Sequence, residues 1–123
     1  MIIIIKTFIS ILFQFFIKNN NFIYYSRYII SMKAQVIIAE IIGTFIFFSG
    51  LLAIPAFGPF AGAIGLLAGI YLSAKISGGH LNPAFSVIMA VRGDISVVSA
   101  IVYITSQVIG GLLALLVNSY LIS

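Results

Sequence analysis

The chain has 123 residues, 63% of them hydrophobic and only 7% charged, with a mean hydropathy of +1.29. A soluble domain carries about 25% charged residues, so this composition points to a membrane protein. A net charge of +4 carried by scattered basic residues that mostly flank apolar runs is no nucleic-acid footprint. The absence of cysteine excludes disulfides and thiolate metal sites, and one His, one Asp and one Glu cannot complete a zinc ligand set.

Residues 1–31 are rich in Ile, Phe, Asn, Tyr and Lys, with no small-residue cleavage site of a signal peptide. Three readings stay open: an extension outside the functional fold, a peripheral or extra helix over 1–17 (Lys6 counts against it), or a targeting segment. Met32-Lys33 directly precedes an apolar segment, as a natural start would. The division is therefore expected at 1–31 for the extension and 32–123 for the functional fold.

The first span is expected over 34–54, enough residues to cross a core of about 30 Å. Glu40 lies inside it, and an intramembrane carboxylate is costly without a partner. It reads either as a structural residue satisfied by a partner or as part of a proton relay, for which the sequence offers only His80 as a second member. Pro55 and Gly58-Pro59 end the span in a short uncharged turn. The second span, over 60–74, is short and carries Gly62, Gly65, Ala68 and Gly69, with Gly65 and Gly69 forming the small-residue pattern that brings membrane helices close. Lys75 marks its polar end.

Ile76-Ser77-Gly78-Gly79-His80-Leu81 reads as extended or irregular backbone, in which the two glycines permit close approach. Asn82 is a favoured N-cap and Pro83 fits the first helical position, so a helix is expected over 82–91, closed by Arg92-Gly93-Asp94. Ten residues make about 15 Å of helix, half of a hydrocarbon core. A half-length apolar helix entered through irregular backbone and set between longer apolar segments is the pattern of a broken-helix site at mid-membrane depth. The third span, over 95–122, is longer than crossing requires and is expected to tilt.

Ser77-Gly78-Gly79-His80-Leu81-Asn82-Pro83-Ala84 resembles the first Asn-Pro-Ala signature loop of the aquaporin and glycerol-facilitator family. Ala39-Glu40-Ile41-Ile42-Gly43-Thr44-Phe45 is similar to the family's first span, and Gln107 with Gly110-Gly111 to its third. The resemblance covers about 32–123, the first of the family's two repeats. It implies an all-α membrane protein: one aquaporin-like repeat of three transmembrane helices plus a re-entrant half-helix.

The same resemblance implies roles. Asn82, Pro83 and Ala84 would present the helix end to a pore, and the carbonyls of Gly78, Gly79 and His80 would form a ladder of acceptors. Glu40 and Gln107 would brace the loop, and the His80 ring would order it. The family also places a selectivity residue twenty positions before the signature Asn, which is Gly62 here. Lacking a side chain, Gly62 would leave that wall open to solutes larger than water. The residues themselves fit this picture. Donors at a helix start, with the positive end of its dipole, hold the oxygen of a hydroxylic solute and repel cations.

Lys33, Lys75 and Arg92 fall on one side of such a topology and no basic residue on the other, so the N-terminal side and the signature loop are expected in the cytoplasm, in the cell membrane. No second Asn-Pro-Ala occurs, although an inverted-repeat channel needs two halves of opposite orientation. Two functions are carried forward. One is a passive channel component for water or small neutral solutes such as glycerol or urea, working as part of a two-repeat pore. The other is a non-conducting remnant or membrane interaction protein. No nucleophile–base pair supports an enzyme, and no cofactor is implied. The expected partners are the bilayer, the solute, and a second half or further copies, tetrameric in the complete family fold.

Overall fold

The computed structural model describes residues 6–11, 14 and 34–122. The readings of 1–31 therefore lie outside the described residues, apart from a helical stretch at 6–11. From residue 34 onward, five helices follow in order: α1 (Ala34–Leu52), α2 (Ile54–Phe57), α3 (Pro59–Ser77), α4 (Pro83–Arg92) and α5 (Val97–Ile122). Of these, α1, α3 and α5 are long and apolar enough to cross a membrane, and α4 is a shorter apolar helix.

The interruptions follow from local chemistry. Gly58 has φ +79 and precedes Pro59, which starts α3, so the expected turn contains a single four-residue helical turn. The second span runs three residues further than expected, through Ser77, so Ile76 and Ser77 are helical rather than irregular. The stop is Gly78, whose φ of +89 is left-handed and whose amide closes on the Ala74 carbonyl at 3.0 Å. Lys75 did not end the helix; it sits in the last turn, where a cation complements the dipole. Gly93 ends α4 in the same left-handed way, with its amide donating to Ala90 O, and the amide of Asp94 donates to Met89 O. Arg92 and Asp94 then form an exposed ion pair at 3.1 Å.

The central helix is α1, which packs against both α3 and α5, while α4 packs against α5. On α1 the buried residues Ala39, Glu40, Gly43 and Thr44 share one face, and on α3 Gly62, Gly65, Gly69, Ser73 and Ser77 form a stripe of small residues. Backbone meets backbone there: a Cβ added to Gly65 would lie 2.9 Å from Gly50 Cα, and one added to Gly50 2.5 Å from Ala61 O. Gly110 brings α5 equally close to the Ile41 carbonyl of α1. Of the six largest fully buried side chains among the described residues, Leu81 alone is apolar; the others are Gln107, Glu40, Thr44, Ser73 and Ser86. Large aliphatic side chains such as Leu67, Leu112 and Leu116 point outward. This polar-inside, apolar-outside distribution suits a lipid surround, where close backbone packing and internal hydrogen bonds hold helices together.

Candidate functional site at the re-entrant loop

The loop between α3 and α4 hangs from one carboxylate. Glu40 is fully buried. Its Oε1 accepts from the Ser77 hydroxyl at 2.6 Å and the His80 amide at 3.0 Å. Its Oε2 accepts from the Leu81 amide at 2.9 Å and Gln107 Nε2 at 2.8 Å. Four donors on two oxygens satisfy a carboxylate that would otherwise be prohibitive at this depth. Ser77 passes the connection on, since its hydroxyl accepts from the Gly79 amide at 3.2 Å.

A second set of bonds ties the loop to α5. Gln107 Nε2 also donates to Ser86 Oγ at 2.9 Å, and Ser86 Oγ lies 3.1 Å from His80 Nδ1. The His80 ring is held between Tyr103, at a centroid distance of 4.4 Å, and Phe85 at 5.0 Å. The Tyr103 hydroxyl donates to the Ser77 carbonyl. Gln107 lies ten residues into α5, about 15 Å along the helix.

Asn82 caps α4 from extended backbone (φ −145, ψ 122), and its Oδ1 accepts from the Ala84 amide at 2.9 Å. That bond commits the oxygen to the cap and leaves the amide NH₂ as the group available to an incoming oxygen. Pro83 is the first helical residue. The loop thus has two sides. Leu81, Ser86 and the His80 ring are buried, whereas Gly78, Asn82 and Ala84 are exposed. Among the described residues no hydrogen bond reaches the carbonyls of Gly78, Gly79 or His80. Acceptors on irregular backbone and donors at a helix end therefore adjoin one another along the chain.

Residues 29–123 match the profile of the major intrinsic protein family. The chain is similar to probable aquaporin TIP5-1 of Arabidopsis thaliana, 38% identical over a 107-residue alignment covering 72% of this chain and 42% of that protein. It is also similar to aquaporin TIP2-1 of Zea mays, 34% identical, with 73% of this chain and 42% of that protein covered. A shorter match, 46% identical over 61 residues, joins it to probable aquaporin TIP5-1 of Oryza sativa subsp. japonica. The chain belongs to the major intrinsic protein family. It spans less than half the length of these curated relatives, and no solved structure matches it.

In this member of the family, then, three membrane-length helices and a half-helix form an aquaporin-like repeat of an integral membrane protein. The structure brings Glu40, Gln107, Gly79 and His80 together in one bonded group, with Gly78, Asn82 and Ala84 along its exposed edge and Pro83 half-buried between them. Gly62 stands apart. It is buried on α3, and a Cβ there would lie 3.0 Å from both Leu51 Cδ2 and Ile54 Cδ1. The missing side chain lets two aliphatic side chains, from α1 and α2, close over the position.

Sequence reasoning passed over Ser77, Ser86, Tyr103 and Leu81. Ser86 had a signal, as the one polar residue in the apolar run of α4. Ser77 stood only as the first residue of the signature stretch, and Tyr103 had no signal, because their bonds span 37 and 26 positions.

Proposed function

We propose that this chain supplies one half of a passive membrane pore for water and small neutral solutes. The Asn82 amide and the carbonyls of Gly78, Gly79 and His80 face the conduction path, and Glu40 and Gln107 hold them in place. The observation that carries the reading is the fixed Asn82 cap at the start of a ten-residue half-helix, suspended from buried Glu40. A donor at the positive end of a helix dipole, preceded by unpaired carbonyls, orders hydroxylic solutes in file and disfavours cations. Residues 32–123 are the functional unit in this reading. Lys75 and Arg92, each in the last turn of its helix, orient the loop toward the cytoplasm.

A half-helix of about 15 Å reaches only the middle of a core of about 30 Å, so the path needs a second, oppositely directed half. That half lies in the same polypeptide or in another chain. Whether glycerol or urea passes as well as water is set by walls that both halves share. Vesicle swelling under an osmotic gradient tests the reading. The chain alone should swell vesicles no faster than empty lipid, and together with a second repeat of the same family it should speed swelling. Absence of flux in both cases would favour a non-conducting membrane interaction protein.

A further inference from the structure

Leu81 is the one residue of the loop whose backbone and side chain pull in different directions. Its φ of +52 is left-handed, and it is the sole non-glycine with positive φ among the described residues. An L side chain is disfavoured there, and glycine, already used at Gly78 and Gly79, would relieve the strain. Yet position 81 carries a leucine whose exposure is 0%. The side chain must therefore contribute something that outweighs the backbone preference.

Its surroundings show what. The tip of Leu81 lies over two glycines on different spans: a Cβ on Gly43 of α1 would come 2.5 Å from Leu81 Cδ2, and one on Gly69 of α3 2.9 Å from Leu81 Cδ1. These glycines do more than let α1 and α3 approach each other; together they leave a slot that the leucine fills. The amide of the same residue donates to Glu40 Oε2, and the next residue is Asn82. A polar tether and an apolar peg thus act on the residue just before the cap.

We propose that Leu81 is a positioning residue that docks as a peg in the slot between Gly43 and Gly69 and so sets the depth and direction of the Asn82 cap. The proposal deepens the pore reading and rests on it for its functional meaning. Its physical content is independent of conduction.

Two glycines with different neighbours make the test specific. The three atoms nearest the Cβ of Gly43→Ala belong to side chains, Leu81 Cδ2 at 2.5 Å and Ser73 Oγ and Cβ at 3.0 and 3.1 Å, so a shorter peg removes the closest clash. The Cβ of Gly69→Ala also meets the Gly43 carbonyl at 2.6 Å, and shortening the peg leaves that clash in place. The experiment is hydrogen exchange of the full chain in lipid vesicles, read along the sequence. Leu81→Ala should speed exchange of the His80, Leu81 and Ala84 amides by about tenfold or more, with α1, α3 and α5 unchanged, as expected when a packed leucine is truncated. Gly43→Ala should do the same, and in the Leu81→Ala background it should cost little further protection, because the peg it strikes is gone. Gly69→Ala should still cost protection in that background, because its clash with the Gly43 carbonyl remains. If Leu81→Ala does not fold, Leu81→Met, which avoids the strain a β-branched residue would add at this φ, should show the same local pattern more weakly. Unchanged exchange at these amides, a loss spread evenly over the spans, or equal added loss from both glycine variants in the Leu81→Ala background would overturn the proposal. Vesicles that never swell beside a second half, with this exchange pattern intact, would instead count against the pore reading alone.

Discussion

At the scale of single residues, the site is decided by donor and acceptor count. Every partner of Glu40 is a donor, and two of them are the backbone amides of His80 and Leu81. Glu40→Ala orphans these buried donors at about 1–3 kcal/mol each. Glu40→Gln is the sharper substitution, because it keeps the shape but places an NH₂ against two donors whichever way the amide turns. Both variants should lower the melting temperature in detergent, and Glu40→Gln should recover little of what Glu40→Ala loses. A Glu40→Gln protein as stable as the parent would contradict this account of the loop. Glu40 was legible in the sequence because a carboxylate inside an apolar span demands a partner, and Gln107 only through the family resemblance of the third span. Ser86, Ser77 and Leu81 were less so: serine is unremarkable in a membrane helix, and nothing local announces that a leucine will adopt a left-handed φ.

Among the elements, glycine placement governs how α1, α2 and α3 meet. Gly65 and Gly69 were readable as a close-packing pair, and they pack against α1. Gly62 shows the limit of reading by position. Its count from Asn82 gives the direction of a family role, but the side chains that cover it, Leu51 and Ile54, lie across the turn on other helices. Gly62→Phe must displace both, and overpacking of this kind costs about 1–3 kcal/mol. A thermal-melting comparison should therefore find Gly62→Phe destabilised, together with any change in solute preference. An undiminished melting temperature, with only bulky-solute flux reduced, would mean that position 62 opens onto the path and not onto α1 and α2. The ends of α3 and α4 were partly legible too. Gly78 and Gly93, rather than the neighbouring charges, terminate the helices, since only glycine takes a left-handed φ at little cost.

The whole molecule inverts the usual distribution: its buried centre is polar and its surface aliphatic. That inversion makes sense in lipid, where unsatisfied backbone groups cost several kcal/mol each and apolar surface costs nothing. It also explains why the re-entrant segment can exist, since Glu40, Ser77 and Ser86 take up polar groups that lipid would leave bare. In the half-pore reading, the exposed edge formed by Gly78, Asn82 and Ala84 is the part of the loop that meets a solute or a second half. The absence of cysteine allows one reactive thiol to be introduced there by Ala84→Cys. The most direct measurement is osmotic swelling of vesicles carrying this variant with a cysteine-free second repeat of the same family, before and after a bulky thiol reagent. Labelling should abolish the swelling, whereas the unsubstituted chain should be unaffected by the reagent. Swelling that continues undiminished after complete labelling would place the conduction path away from Asn82 and contradict the half-pore account.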